Sequence, residues 1–237
     1  MLRRNQPFAL GALSAQRRAF LMAGLAGAVT CAFPAIVRTA TAIDSASAEG
    51  SRRFSVFYKG HKIGTHAVIY SSQLGEMRVD TEIHLVVKVA FFTVFAFSHR
   101  SQEVWRDGQL MSLASETVEH GKALHVEGTA TPDGFRVVGN GGPFIAPAAT
   151  LTSNSLWTPA VLDQETLVDA QHGGIIGVSA RKFAEEDIAI GDRPVRATRY
   201  AFITPYLAGS IWYDTQDLWV HGEFERDGAR IQYRLDT

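Results

Sequence analysis

The sequence predicts an all-β protein, an antiparallel meander curled into a strongly curved sheet or open barrel. Three observations predict it. Apolar and polar residues alternate in short runs, turn dipeptides containing glycine recur about every 10–15 residues, and no sustained helical period lies between them. A glycine-containing dipeptide between alternating runs is a hairpin signal because the tight turns that match strand twist need positive φ.

The elements follow in order. Residues 53–58 alternate, Lys59-Gly60 turns, and 63–70 returns. Gln73-Leu74-Gly75 turns again, and 77–89 alternates through Val79, Thr81, Ile83, Leu85 and Val87. The run Val89-Ala90-Phe91-Phe92-Thr93-Val94-Phe95-Ala96-Phe97 is apolar on both faces, so that strand calls for cover on each side. Further turns are predicted at Asp107-Gly108, His120-Gly121, Asp133-Gly134, Gly191-Asp192, Asp214–Asp217 and Asp227-Gly228. Two stretches break the pattern. Residues 139–149, rich in Gly, Pro and Ala, read as an irregular connection. Residues 153–163 read as a short helix with Ser155 as N-cap and Pro159 in its first turns.

Residues 1–48 read as an export signal and linker ahead of a single β domain over 49–237. Arg17-Arg18 followed by Phe20-Leu21 and the apolar run 22–37 resembles a twin-arginine signal, a receptor-read address. Gln16 stands before the arginine pair where that signal usually has Ser or Thr, so general secretion is the alternative. Gly24, Gly27, Thr30 and Pro34 interrupt the apolar run, which argues against a spanning helix. The expected location is the periplasm, with the export machinery as first partner. The only cysteine, Cys31, falls inside this segment, so the mature chain has no internal disulfide and rests on its core. That core is affordable at 46% hydrophobic residues, and a net charge of −1 without a basic stripe argues against a nucleic-acid partner.

One phrase occurs twice. Val104-Trp105-Arg106-Asp107-Gly108-Gln109 matches Ile211-Trp212-Tyr213-Asp214-Thr215-Gln216 at an offset of 107 (212 − 105), and Glu116 then faces Glu223. The offset suggests two related meanders, 49–140 and 165–237, with chance likeness between amphipathic hairpins as the alternative. A two-residue Asp107-Gly108 loop would pair Trp105 with Leu110 and His99 with Glu116. Parity then gives one face to Phe95, Phe97, His99, Glu103, Trp105, Glu116 and His125. It gives the opposite, aliphatic face to Val94, Ala96, Val104, Met111, Leu113, Leu124 and Val126. In the second half, Trp212, Trp219, His221 and Glu223 fall on the first face. Turned inward, that mixed face would line a cavity, with Phe95, Phe97, Trp105 and Trp212 as contact area and His99 with Glu116 as polar handles. Turned outward, it would be a solvated face with an ordinary cross-strand pair.

Chemistry is sought without result. Eight histidines invite a metal, but His61/His66 and His120/His125 are five apart, which in a strand puts each pair on opposite faces. No H-E-x-x-H, calcium loop or G-x-S-x-G elbow occurs, and neither Asn140-Gly141-Gly142 nor His172-Gly173-Gly174 opens a phosphate-binding helix. No catalytic residue, metal ligand or cofactor is assigned.

Several segments are similar to a family of exported bacterial proteins known only as a domain of unknown function. They are Phe54-Ser55-Val56 with Gly60 and Ile63-Gly64; Phe97-Ser98-His99-Arg100 with Glu103-Val104-Trp105; Ser153-Asn154-Ser155-Leu156-Trp157; Gln171-His172-Gly173; and Trp212-Tyr213-Asp214. The resemblance spans the mature chain and implies a curved sheet like those of periplasmic half-barrel carriers of lipoproteins and hydrophobic ligands. Export, the doubled hairpin and the tryptophan-bearing face together lead to the expected function, a periplasmic, non-enzymatic module carrying an apolar or amphipathic, lipid-like molecule. The alternatives are an envelope protein-interaction domain using a strand edge or the Trp157 region, and an enzyme centred on His99.

Overall fold

The computed structural model describes residues 49–226 and 228–237. The predicted export segment, residues 1–48, lies outside the described residues. Within them the protein is all-β. Eight strands run β1 Glu49–Tyr58, β2 His61–Gln73, β3 Glu76–Val89, β4 Phe92–Arg106, β5 Gln109–Glu119, β6 Lys122–Thr131, β7 Gly134–Gly139 and β8 Gly142–Ala146. An inserted segment, residues 147–178, follows and carries a small hairpin of its own, β9 Thr166–Val168 and β10 Ile175–Gly177. Then come β11 Ser179–Ile190, β12 Arg193–Ile203, β13 Ala208–Asp214, β14 Trp219–Arg226 and β15 Ala229–Leu235.

The large sheet has 13 antiparallel strands in the order β11-β12-β13-β14-β15-β1-β2-β3-β4-β5-β6-β7-β8. Each strand sits beside its chain neighbour except at one junction, where β15 pairs with β1 (Phe54 opposite Leu235, Tyr58 opposite Ile231). The two halves thus form one continuous sheet, with β8 and β11 as its edges and without closure. Among the described residues the expected turns appear where predicted. Non-glycine residues at positive φ, such as Asp107 (48°) and His120 (50°), precede glycines at positive φ, Gly108 (74°) and Gly121 (78°).

The inserted segment covers one face of the sheet. Leu151, Leu156, Trp157, Val161, Leu167 and Ile176 pack into one cluster with Phe54, Val79, Trp105, Leu113, Val126 and Phe202 from the strands. The space that the sequence reading reserved for a ligand around Trp105 is filled by the chain itself. Tyr213 clamps the insert by donating its hydroxyl to the Leu156 carbonyl at 2.8 Å.

Several expectations need correction. The stretch 139–149 is not wholly irregular, because β7 and β8 form a hairpin across Asn140-Gly141. The predicted helix is two 3₁₀ turns, Ser155–Trp157 and Pro159–Asp163. Pro159 cannot continue a helix from Ser155. It instead opens the second turn, whose cap is Thr158, accepting from the Ala160 amide at 3.3 Å. Trp157 is buried edge-on to Trp105 with centroids 5.6 Å apart, so it offers no surface to a partner.

The parity reading fails at a bulge in the first half and in its carry-over to the second. Trp105 pairs with Leu110 but Val104 pairs with Ser112, leaving Met111 as an extra residue. One extra residue reverses every later side chain. His99 therefore faces Thr117, while Glu116 faces Arg100 on the exposed side. Leu113, Leu124 and Val126 move to the core face with Trp105. On β13, Ile211 and Tyr213 belong to the main core, so Trp212 between them points the other way. It packs with Ala197 and Val220 in a second cluster and donates its indole N–H to Glu186 Oε1 at 2.7 Å. The two matched tryptophans thus lie on opposite faces of one sheet.

Candidate functional site

β4 sets the site. Its inward side chains run Phe95, Phe97, His99, Ser101, Glu103 and Trp105, so Phe95 and Trp105 stand about 30 Å apart along the strand. Glu116 and Trp212 are not in this row. The Trp105 half is sealed. Glu103 is fully buried, accepts from Trp105 Nε1 at 3.0 Å and takes the Thr152 hydroxyl from the insert. Burial pushes its carboxyl up to about 7, and bonds from Thr152 and Trp105 hold it back from rising further. The buried Trp157 N–H has no partner of its own within bonding geometry, yet it lies near enough to add to that restraint.

His99, with 0% of its surface exposed, comes next. Its Nε2 lies 2.9 Å from Asn154 Nδ2, which also donates to Ser101 Oγ at 2.7 Å. An amide nitrogen only donates, so Nε2 accepts and Nδ1 carries the proton, donated to Thr117 Oγ1 at 2.8 Å. Burial lowers the imidazole to about 4, so His99 is neutral with both nitrogens engaged. It is a strut between sheet and insert and has no free nitrogen for proton transfer.

Beyond His99 the insert ends in the loop between β9 and β10, and the face opens. Asp169 is buried and its Oδ1 accepts the amides of Gln171 (2.9 Å) and His172 (3.3 Å). Its Oδ2 holds His172 Nδ1 at 2.9 Å. The half-exposed His172 ring turns Nε2 toward Glu119 Oε2, 3.8 Å away, and stands 5.6 Å from the Tyr206 ring. Partial burial, then the Asp169 carboxylate, pushes the Tyr206 hydroxyl up. Phe97 is paired with Glu119 across β4 and β5, and Phe95 and Phe97 stack half-exposed at 6.4 Å. This mouth combines an apolar pair, a carboxylate-held imidazole, a second carboxylate and a phenol.

Close backbone contact locates the His172 loop. A Cβ on Gly173 would lie 2.6 Å from the Gly139 Cα, and a Cβ on Gly139 equally close to Gly173. Gly173 also has φ +75°, so glycine is required there twice over. Asp169 escaped the sequence reading, and His172 entered it in the family resemblance and as a rejected phosphate loop, without a role at a site. The legible signal was an Asp three residues before His at a Gly-Gly turn, where Asp side chains bond their own backbone. Among the described residues no group of three or more His, Cys, Asp or Glu is placed to hold a metal ion. None of their helices is long and apolar enough to cross a membrane.

An open, curved antiparallel sheet filled by its own insert defines a β-barrel-like fold. The chain belongs to the family described as Domain of unknown function (DUF6134), which it matches over residues 54–236. In fold it is similar to the crystal structure of a beta-barrel-like protein of Domain of Unknown Function DUF1849 from Brucella abortus. That likeness has a TM-score of 0.57 at 7% identity, over 80% of this chain and 96% of that one. No curated protein matches the chain.

Proposed function

We propose that the protein is an exported, periplasmic binding module that holds an amphipathic small molecule at the mouth beside Phe97. An interior cavity is not needed. The apolar part of the ligand lies on Phe95 and Phe97, and its polar group meets His172, Glu119 and Tyr206. The observation that carries this reading is the Phe95–Phe97 stack, half-exposed where the insert stops, beside an imidazole fixed by Asp169. The test uses the amphipathic dye 8-anilinonaphthalene-1-sulfonate together with native mass spectrometry of protein purified from the periplasm. Wild type should enhance the dye and carry a small molecule, and Phe95→Ser and His172→Gln should each weaken the enhancement. A protein that leaves the dye dark and carries nothing would end the proposal.

A second reading is a protein-interaction domain of the envelope, favoured by β11, a twelve-residue edge strand with one side unpaired in the sheet. A crosslinker placed on β11 should then capture a defined envelope protein in cells. Capture that does not depend on β11 removes this reading.

A further inference from the structure

In an antiparallel meander alternate turns share one end of the sheet. The β1–β2, β3–β4, β5–β6 and β14–β15 turns lie together here, and Lys59 N donates to the Arg230 carbonyl across two of them. Two features set that end apart. The long β3–β4 hairpin lifts its tip into solvent with Phe91 98%, Phe92 75% and Val94 53% exposed, and Tyr206 on the neighbouring β12–β13 turn is 50% exposed. Around the tip stand the exposed cations Lys59, Lys62, Lys88, Lys122 and Arg230, against Glu119 and Glu225 among the described residues. The turns of the opposite end expose one large apolar side chain, Leu74, and carry Asp107, Asp133, Asp192 and Asp217, with Arg106 and Arg193 beside them. A chain of net charge −1 has thus gathered four of its five lysines at the end that carries its most exposed aromatic side chains.

We propose that this end docks on an anionic lipid bilayer, with Phe91 and Phe92 entering the interface and the lysine ring meeting lipid phosphates. Two adjacent exposed Phe side chains on a tight turn, with φ +53° at Ala90, supply apolar area with no fold of their own to support. The cations supply the charge complementarity that selects an anionic surface over a neutral one. A protein groove would ask for complementary shape, whereas a bilayer asks only for a projecting apolar tip within a basic rim. This inference rests on the hairpin and the charge ring, not on ligand binding at the mouth.

The test uses the full chain with vesicles of phosphatidylglycerol or phosphatidylcholine. All four native tryptophans are buried, so Phe91→Trp places a reporter at the tip. Its emission should shift to the blue on phosphatidylglycerol vesicles and be quenched by brominated acyl chains. The double variant Phe91→Glu/Phe92→Glu and the double variant Lys59→Glu/Lys88→Glu should each reduce co-sedimentation by about tenfold or more. All keep residues 1–48, so a loss belongs to the tip, and unchanged thermal melts show that the fold is intact. Reporter emission that stays water-like, sedimentation equal for the Glu variants and wild type, or equal binding to both lipids would overturn the proposal. Dye binding at the mouth is scored separately and stands or falls alone.

Discussion

Glu103 on β4 takes the Thr152 hydroxyl from the inserted segment, 49 residues further along the chain. A titratable group therefore sits in the seam between the sheet and the segment that fills it. Its neutral form is the one the folded state favours, because burial raises it to about 7 from an ordinary 4.5. A raised carboxyl contributes stability that is full at low pH and lost as pH rises from about 4.5 through 7. Glu103→Gln should match wild type near pH 4 and exceed it at pH 8, by up to roughly 3 kcal/mol. Denaturant melts at the two pH values decide it, and an alkaline decline that persists in the Gln variant would show that another group causes it.

The opposite sign applies to His66. Neither ring nitrogen has a hydrogen-bond partner, and Phe54, Trp219 and Tyr233 surround it edge-on with centroids 5.2–6.3 Å away. Burial lowers it to about 3. A lowered histidine contributes stability above about 6.5 that fades as pH falls toward its folded value. His66→Phe should gain about 1 kcal/mol at pH 7 by removing an unsatisfied polar group, and it should flatten the acid limb. A steeper acid limb in the variant would contradict the assignment.

Asn154 joins the insert to β4 through His99 and Ser101. Asn154→Ala leaves the His99 acceptor buried and unpaired, and should cost about 2–3 kcal/mol. Hydrogen exchange would show where the loss is felt, with faster exchange in residues 150–158 than in β13–β15. Uniform acceleration across the sheet would argue against a local strut.

Gly139→Ala and Gly173→Ala each force a Cβ into the partner's backbone. Each should lose about 1–3 kcal/mol and weaken dye binding at the mouth. Gly141→Ala is the control, since its nearest neighbour would be 3.8 Å away. If the control loses as much as the other two, close approach is not the reason.

The strands and most turns were legible because glycine at positive φ and strand alternation are local rules, and the inward direction of Phe95, Phe97, His99 and Trp105 followed from one correct parity. Glu116 was misplaced because a bulge is one extra residue with no compositional mark, and Trp212 because the matched phrase does not keep its face from one half to the other. Met111 looks like any strand residue, yet it reverses everything after it. The filling of the face could not be read either. Residues 147–178 have little period, and their place is fixed by distant partners such as Tyr213 with Leu156 and Thr152 with Glu103.

The pairing of β15 with β1 has a consequence for assembly. The strand that stitches both half-sheets together, β15, follows β1 and β14 in the chain. Until it arrives, β1 and β14 each expose a raw edge that seeks any extended chain. A newly made copy must be shielded or kept unfolded until β15 emerges, and deletion of β15 should yield aggregates instead of a smaller folded unit.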